Sequence, residues 1–247
     1  MTNHTPASRA ARIEGRLRDL GTPERAAQEQ RYLKSDLEFL GATVWQIRAV
    51  VKAYLVELEP LDHDQLIGLV EALWTEPMHE RRMAATVLLE MRGGLLSAAD
   101  LPVLERLIRE SLTWALVDGL AGDVVGDILA ADEAATLPVL DRWAADDDFW
   151  VRRSALLAWL QPLRHGASLD HFLAYADAML DEREFFIRKA IGWVLREVGK
   201  RQPDAVADWL APRTHRASGV TMREAVKYLG PADRDRLMIA YRARRPA

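Results

Sequence analysis

The stretch V-R-R-S-A-L-L-A-W-L, residues 151–160, carries the pattern that decides the fold. A basic pair is followed by apolar residues at the three- and four-residue intervals that mark one face of an α-helix. Similar segments occupy 80–89, 187–195 and 222–229, and in each a basic residue heads an alanine-containing amphipathic stretch. The chain therefore repeats one helical unit.

The repeat has a length of about 35 residues, which is typical of HEAT-type helical hairpins. Starting at Arg82, steps of 35 or 36 residues reach in turn Asp118, Arg153, Arg188 or Lys189, and Arg223. We predict an all-α fold, a HEAT-like α-solenoid of antiparallel helical hairpins with a concave basic surface. It is predicted to form a single domain over 1–247, with 1–6 and 242–247 loosely ordered.

Prolines and glycines divide the chain into helices. Thr22, Pro23 and Glu24 give a clear start signal, because a capping hydroxyl precedes a proline and an acid in the first turn. Further breaks are predicted at Gly21, Glu59-Pro60, Glu76-Pro77, Gly93-Gly94, Leu101-Pro102, Pro162, Pro203, Pro212 and Gly230-Pro231.

Composition excludes several classes of site. With 247 residues, 49% of them apolar, the chain can bury a substantial core. It has no cysteine, which excludes disulfides and thiolate metal sites, and its six histidines include no pair at the i, i+4 spacing of a helical zinc site. We therefore predict no metal and no cofactor. Without an apolar leader or a run of about 18 apolar residues, we expect a soluble, cytoplasmic monomer with no membrane partner.

Charge is distributed unevenly along the chain. The formal net charge of −4 argues against a nucleic-acid partner, yet acids dominate 100–148 whereas bases dominate 149–229. Two interpretations of the repeated basic residues stay open. They either cap and bridge adjacent helices, as in many HEAT arrays, or follow a phosphate backbone along a concave surface.

The segment T-W-A-L-V-D, residues 113–118, breaks the basic pattern, since Asp118 stands where other repeats carry arginine. Trp114 lies one helical turn before it. We interpret Trp150 as a core residue, and for Trp114 and Trp193 packing and function are both open. The other tryptophans lie in apolar stripes or at helix ends and are interpreted as packing residues: Trp45, Trp74, Trp143, Trp159 and Trp209.

Four segments together resemble the AlkD family of DNA alkylation-repair glycosylases. They are Y-L-K-S-D-L-E-F-L-G (32–41), S-L-T-W-A-L-V-D (111–118), D-D-F-W-V-R-R-S-A-L-L (147–157) and F-F-I-R-K-A-I-G-W-V-L-R-E (185–197). The resemblance runs from about Tyr32 to Tyr228. It implies a solenoid that cradles duplex DNA and hydrolyses the N-glycosidic bond of cationic alkylated purines. Such substrates include 3-methyladenine, 7-methylguanine and bulkier N3 or N7 adducts, and the family does not need to extrude the base into a pocket.

The resemblance also implies individual roles. The catalytic aspartate falls on Asp118, the sugar-contacting tryptophans on Trp114 and Trp193, and the active-site arginine on Arg153. Arg152 competes for the arginine role because adjacent helix positions face different directions; Arg153 is preferred because it lies on the repeat. The predicted contacts to DNA are Tyr32, which matches a lesion-proximal tyrosine, and Arg82, Arg152, Arg188, Lys189, Arg196, Lys200 and Arg223.

The implied chemistry explains a carboxylate at Asp118. A cationic purine leaves without a general acid, and positive charge then develops on the deoxyribose as an oxocarbenium-like species. A carboxylate about 4 Å away would favour that charge by roughly 4 kcal/mol at an effective dielectric of about 20, or about three decades in rate. Aromatic faces beside the sugar add cation-π attraction and exclude water.

Two departures from the family pattern bear on activity. Many relatives carry a second tryptophan and an additional acid where this chain has Thr113 and Ala115, and the net acidity weakens the expected attraction to DNA. The alternatives to a glycosylase are a non-catalytic HEAT-repeat module that binds DNA and a protein-interaction solenoid. For the glycosylase we expect a cytoplasmic location, associated with the nucleoid when bound to DNA.

Overall fold

In the computed structural model, residues 5–57 and 61–243 are described, and within them every regular element is helical. The α-helices are α1 (Pro6–Leu20), α2 (Pro23–Leu33), α3 (Val44–Glu57), α4 (His63–Trp74), α5 (His79–Met91), α6 (Leu101–Glu110), α7 (Trp114–Asp118), α8 (Gly126–Ala131), α9 (Glu133–Ala144), α10 (Phe149–Leu157), α11 (Leu160–Arg164), α12 (Asp170–Ala178), α13 (Phe185–Gly199), α14 (Pro203–Leu210), α15 (Gly219–Ala225) and α16 (Pro231–Ala243). A π-helix spans Gly119–Val125, and short 3-10 turns include Ala98–Asp100 and Val226–Tyr228. The predicted all-α helical-repeat fold is confirmed.

Helix starts follow the local signals in the sequence. Thr22 caps α2 by accepting a hydrogen bond from the backbone N–H of Arg25 at 3.4 Å, and Pro23 is the first helical residue, as predicted. At the predicted loose ends, Thr5 caps α1 and α16 extends to Ala243. The rest of those ends, 1–4 and 244–247, and the predicted break at Glu59-Pro60 lie outside the described residues.

The chain divides into two compact units, Met1–Ile128 and Leu129–Ala247, here called unit 1 and unit 2. In unit 1, α5 is the central helix. Its residues 79–89 are all buried, and it packs against α1, α3, α4 and the π-helix. None of the helices within the described ranges is both long and apolar enough to cross a membrane.

In unit 2, α13 has the central position. It packs against α10, α11, α14 and α15, and its contact with α15 is the most extensive in the unit. Trp143 and Trp159 are fully buried here, and Trp74 in unit 1 and Trp209 in unit 2 are also buried, so the packing role predicted for these four residues is confirmed.

Hydrogen bonds between side chains connect residues one repeat apart. The pairs are separated by 34 to 36 positions, which matches the repeat length read from the sequence. In unit 1 the pair is Arg106–Glu71, and in unit 2 the pairs are Tyr175–Asp141, Lys189–Glu224, Arg213–Asp177 and Arg216–Asp181.

The packing role predicted for Trp45 is wrong. Its side chain is 85% exposed, although it lies in the first turn of α3. The buried face of α3 carries Ile47, Val50, Val51 and Tyr54, the i, i+3, i+4, i+7 pattern of one stripe. Because a helix turns about 100° per residue, a position two residues before Ile47 lies on nearly the opposite side.

A buried carboxylate fixes the loop between α2 and α3. Glu80, fully buried in α5, accepts hydrogen bonds from the backbone N–H groups of Leu40 at 2.9 Å, Gly41 at 2.6 Å and Ala42 at 3.2 Å. Burial raises the pKa of Glu80, although the amide hydrogen bonds oppose the shift. The clamp holds the end of α2 and the start of α3 against the centre of unit 1.

We expect unit 1 to lose stability in mildly alkaline solution through His63. Its side chain hydrogen-bonds Asp64 at 3.0 Å and Asp100 at 2.7 Å, and these bonds raise the pKa of His63 above its usual 6.5. The stabilisation is complete below the unfolded pKa and is lost as pH rises through the higher folded pKa. Urea unfolding of the native protein and of His63→Gln should therefore differ more at about pH 5.5 than at about pH 8.5.

His215→Gln serves as the control, because it makes the same change at an exposed histidine of unit 2. A difference between native protein and His63→Gln that stays constant across this pH range would contradict the assignment.

Candidate functional site

A sharp backbone break precedes α7. Leu112 adopts a left-handed conformation, with φ of 56°, which non-glycine residues rarely take. Thr113 then caps α7 by accepting a hydrogen bond from the backbone N–H of Ala115. As a result Trp114 and Asp118 are the first and last residues of a five-residue helix, one turn apart as the sequence predicted, and both are half-buried.

The helical geometry changes again directly after Asp118. Gly119 begins a π-helix, a rare form that is frequent at functional sites. A β-carbon at Gly119 would lie 2.9 Å from Cγ2 of Thr86 and 3.1 Å from Oε1 of Glu90, so only glycine permits this approach to α5. Burial raises the pKa of Glu90, which pairs with Arg48. Sequence reasoning missed this second carboxylate beside the α7 segment because Glu90 lies in an ordinary amphipathic helix.

Tyr32 and Trp114 meet although 82 residues separate them in the chain. Their ring centroids are 5.9 Å apart and the planes meet at 83°, an edge-to-face contact. Tyr32 lies in the last turn of α2 with 70% of its surface exposed, so the contact still leaves the phenol open to solvent. The structure thus places three predicted site residues of unit 1 on neighbouring elements.

Arg82 is buried in unit 1 and bonded to groups of the same unit. It is buried in α5, donates a hydrogen bond to the backbone oxygen of Glu110, and lies over the ring of Trp74 at 5.1 Å. The bridging interpretation of the basic repeat applies at this position. A phosphate contact by Arg82, which the sequence suggested, would require this buried side chain to leave its partners.

Arg153 has the same role in unit 2. Only 2% of its surface is exposed, and it donates a hydrogen bond to the backbone oxygen of Phe186 at 2.5 Å while lying 5.7 Å above that ring. It therefore fixes the first turn of α13. The neighbouring Arg152 is half-buried, pairs with Glu182 at 2.8 Å and donates to the backbone oxygen of Asp146 at 2.6 Å.

Trp193 is half-buried in α13 and follows Gly192. A β-carbon at Gly192 would lie 2.7 Å from Cβ of Glu224 and 3.0 Å from the backbone oxygen of Thr221. The glycine therefore allows α13 and α15 to approach closely. The position of the indole depends on this helix contact.

Most other predicted DNA contacts in unit 2 are already paired. Arg188 donates to the backbone oxygen of Glu182 at 2.6 Å. Lys189 and Arg196 both pair with Glu224, and Lys200 pairs with Glu197 at 2.7 Å. Arg223 differs from these, since it is exposed and forms no ion pair within the described part of unit 2.

Unit 2 also contains an aromatic cluster that sequence analysis did not identify. The ring centroids of Phe149 and Trp150, at the start of α10, are 4.4 Å apart. Those of Trp150 and Phe186 are 4.8 Å apart. Phe185 adds an edge-to-face contact with Phe186 and is 53% exposed. Trp150 is therefore half-buried in this cluster rather than in the main core. The sequence signal that could have revealed this cluster is the pair of adjacent aromatic residues at the start of α10 and again at the start of α13.

One group in the described ranges, Glu29, His79 and Glu80, has the spacing of metal ligands, with the ligand atoms within 4.8 Å of one another. Glu80 is the loop clamp described above, and Glu29 pairs with Arg25 at 2.5 Å. His79 is buried and stacks on Phe39 at 4.9 Å, and burial lowers its pKa to about 4. Both carboxylates therefore already bind other groups of the protein.

Comparison with known proteins identifies a family for this chain. The sequence profile of the family described as "DNA alkylation repair enzyme" matches residues 13–229. A comparison with curated proteins finds no match.

Solved structures share the fold. A predicted DNA alkylation repair enzyme from Enterococcus faecalis is 26% identical, with a TM-score of 0.74 over 85% of this chain and 97% of that one. AlkD2 from Streptococcus mutans is 14% identical, with a TM-score of 0.65 over 91% of this chain and 99% of that one. The alkylpurine DNA glycosylase AlkC from Pseudomonas fluorescens, bound to DNA containing an abasic site analog, is 17% identical, with a TM-score of 0.54 over 94% of this chain and 64% of that one.

The substitution Gly192→Ala is expected to lower the free energy of unfolding by about 2 kcal/mol, because its methyl group overlaps α15. Gly199→Ala is a control in the same helix, since its β-carbon would make an ordinary 3.7 Å contact with Leu229. That change should be neutral or stabilise by up to about 1 kcal/mol through helix propensity. Urea denaturation measures both, and equal stability of the two variants would rule out the close-approach argument.

Proposed function

Since the chain belongs to the DNA alkylation repair enzyme family, we propose that it is a DNA glycosylase acting on alkylated purines in duplex DNA. The proposed reaction is hydrolysis of the N-glycosidic bond of cationic purines such as 3-methyladenine and 7-methylguanine, or bulkier N3 and N7 adducts. The proposed partner is double-stranded DNA carrying such a lesion. We further propose a cytoplasmic monomer.

The arrangement of Tyr32, Trp114 and Asp118 carries the proposal. A tyrosine with 70% of its surface exposed contacts an indole, and a carboxylate follows one helical turn later. Aromatic faces beside a half-buried carboxylate suit a sugar on which positive charge develops. The left-handed Leu112 and the π-helix delimit α7 on its two sides, so they set where its first and last residues lie.

In the proposed reaction the bond between C1′ of the deoxyribose and the purine nitrogen breaks first. Its electron pair goes to the purine, which neutralises the cationic base, and the positive charge passes to the sugar. Asp118 stabilises that charge, and the interaction is strongest in the transition state. Water then adds to C1′ and gives up a proton, which Asp118 is positioned to accept in this proposal.

Residues of unit 2 have supporting roles in the proposal. From the resemblance, Trp193 contacts the sugar. Arg153 is proposed as a positioning residue, because its buried guanidinium holds the first turn of the helix that carries Trp193. Tyr32 is proposed to face the lesion. The cations paired with Glu182, Glu197 and Glu224 would have to exchange these partners for phosphates in order to bind DNA.

The substitution Asp118→Asn is expected to slow base release by about 1000-fold, because the carboxylate contributes about 4 kcal/mol in the transition state. The measurement is release of free base from a duplex with a single 7-methylguanine under single-turnover conditions. Binding to the same duplex should be retained. The matched control is Asp127→Asn, which removes the same charge at an exposed position nine residues later.

Equal rates for Asp118→Asn and native protein would refute the assigned role. If the native protein binds the duplex but releases no base, a duplex with a bulky N3-adenine adduct is the next substrate. Failure there as well would favour a non-catalytic DNA-binding module.

The substitution Tyr32→Ala is expected to slow base release by about fivefold to tenfold without changing stability, because it removes the edge-to-face partner of Trp114. Trp45→Ala provides the comparison, since it also removes an exposed aromatic side chain of unit 1. The same single-turnover measurement applies. A similar loss in both variants would show that the Tyr32–Trp114 contact has no specific role.

A further inference from the structure

The last helix of the described chain forms an open groove with α15. The groove, of about 410 Å³, lies between Arg223 on α15 and the helix α16. Its floor is apolar, with Val226, Met238 and Ile239. Ile239 is 64% exposed, which is unusual for a branched apolar side chain. The arrangement is confined to unit 2.

Positive charge surrounds this apolar floor. Three arginines line the groove, namely Arg223, Arg234 and Arg242, and all three are exposed. Asp235 is the acid in the lining, and it lies 3.7 Å from Arg234. Within the described ranges, Arg223 and Arg242 form no ion pair. The groove therefore has an excess of positive charge, in contrast to the paired cations elsewhere in unit 2.

The helices on both sides of the groove pack against the rest of unit 2, α15 on α13 and α16 on α14. Leu237 is buried and anchors α16. On the other side, the side chain of Tyr241 on α16 reaches the start of α15, since a β-carbon at Gly219 would lie 2.8 Å from its hydroxyl and 3.1 Å from Nη1 of Arg223. The groove is thus lined by Arg223 from α15 and by Arg234 and Arg242 from α16.

We propose that this groove binds the sugar-phosphate backbone of duplex DNA. Phosphate oxygens match the fork of donors on each guanidinium, and the hydrocarbon faces of deoxyribose fit the apolar floor. The choice of DNA as the partner rests on the proposed function. The resemblance already implies a DNA contact for Arg223. The helix α16 follows residue 229, where the family profile ends, so its arginines and the apolar floor add to that contact.

Binding to an undamaged duplex tests the groove independently of catalysis. Arg242→Gln should raise Kd at about 0.1 M salt by about eightfold and reduce the slope of log K against log salt by about 0.9, the effect of one lost phosphate contact. Arg223→Gln/Arg242→Gln should reduce the slope by about 1.8. The control is Arg236→Gln, an identical charge change on the same helix at a residue that pairs with Asp233 outside the groove.

A gain-of-function variant keeps the test independent of folding. Asp235→Asn removes the acid from the groove lining at an exposed position, so it should tighten DNA binding. Equal Kd and slope for Arg242→Gln and Arg236→Gln would overturn the proposal. Poly-glutamate serves as a probe for an acidic protein partner. If Arg242→Gln left DNA binding unchanged but abolished binding of poly-glutamate, the proposal would also be overturned, in favour of such a partner. Because no base release is measured, failure of the glycosylase proposal would remain distinguishable from failure here.

Discussion

Polar side chains that join positions about one repeat apart hold successive helices in register. In unit 2 the buried guanidinium of Arg153 donates to the backbone of Phe186, and Glu224 pairs with both Lys189 and Arg196. Exposed ion pairs contribute little free energy. The apolar core supplies most of the stability. The bridges supply specificity, because a shift of one helix would leave buried donors without acceptors.

Because many of the repeated basic residues bind groups of the same chain, the basic repeat does not by itself indicate a DNA-binding surface. A net charge of −4 and arginines paired with their own chain leave a weak field for attracting DNA. In the proposed function, affinity for DNA depends on the cations that are exposed and unpaired, together with ion pairs that exchange partners on binding. Arg223 and Arg242 are exposed in this way, and both line one groove. Under the proposed function, a local group of unpaired cations would bind DNA although the chain is acidic overall.

The region around Asp118 combines unusual backbone with ordinary packing. A left-handed residue precedes α7 and a π-helix follows it, so the aspartate lies between two departures from α-helical geometry. Such departures are tolerated where surrounding contacts fix them. Here α5 supplies those contacts, through Gly119 against Thr86 and through the Glu80 clamp that holds the loop after Tyr32. The same central helix thus supports both sides of the aromatic contact.

Part of this molecule could be predicted from local patterns alone. The helical repeat, the Thr22-Pro23 helix start, and the turn between Trp114 and Asp118 all depend on residues close in sequence. Gly192 was also predictable, because a missing side chain in an apolar helix face indicates a close neighbour. Eight tryptophans and a periodic row of arginines, however, do not show which side chains are buried.

The tertiary structure decided the rest. It exposed Trp45, which lies on the wrong side of its helix to join the core, and it buried Arg82 and Arg153 against carbonyl groups 28 and 33 residues away. It also brought Tyr32 to Trp114 and formed the groove beside α16. Periodicity is a local property that sequence determines, whereas the partner of a long polar side chain depends on where distant backbone lies. For that reason the sequence determined the helices and the candidate residues, and only packing determined which arginines face solvent.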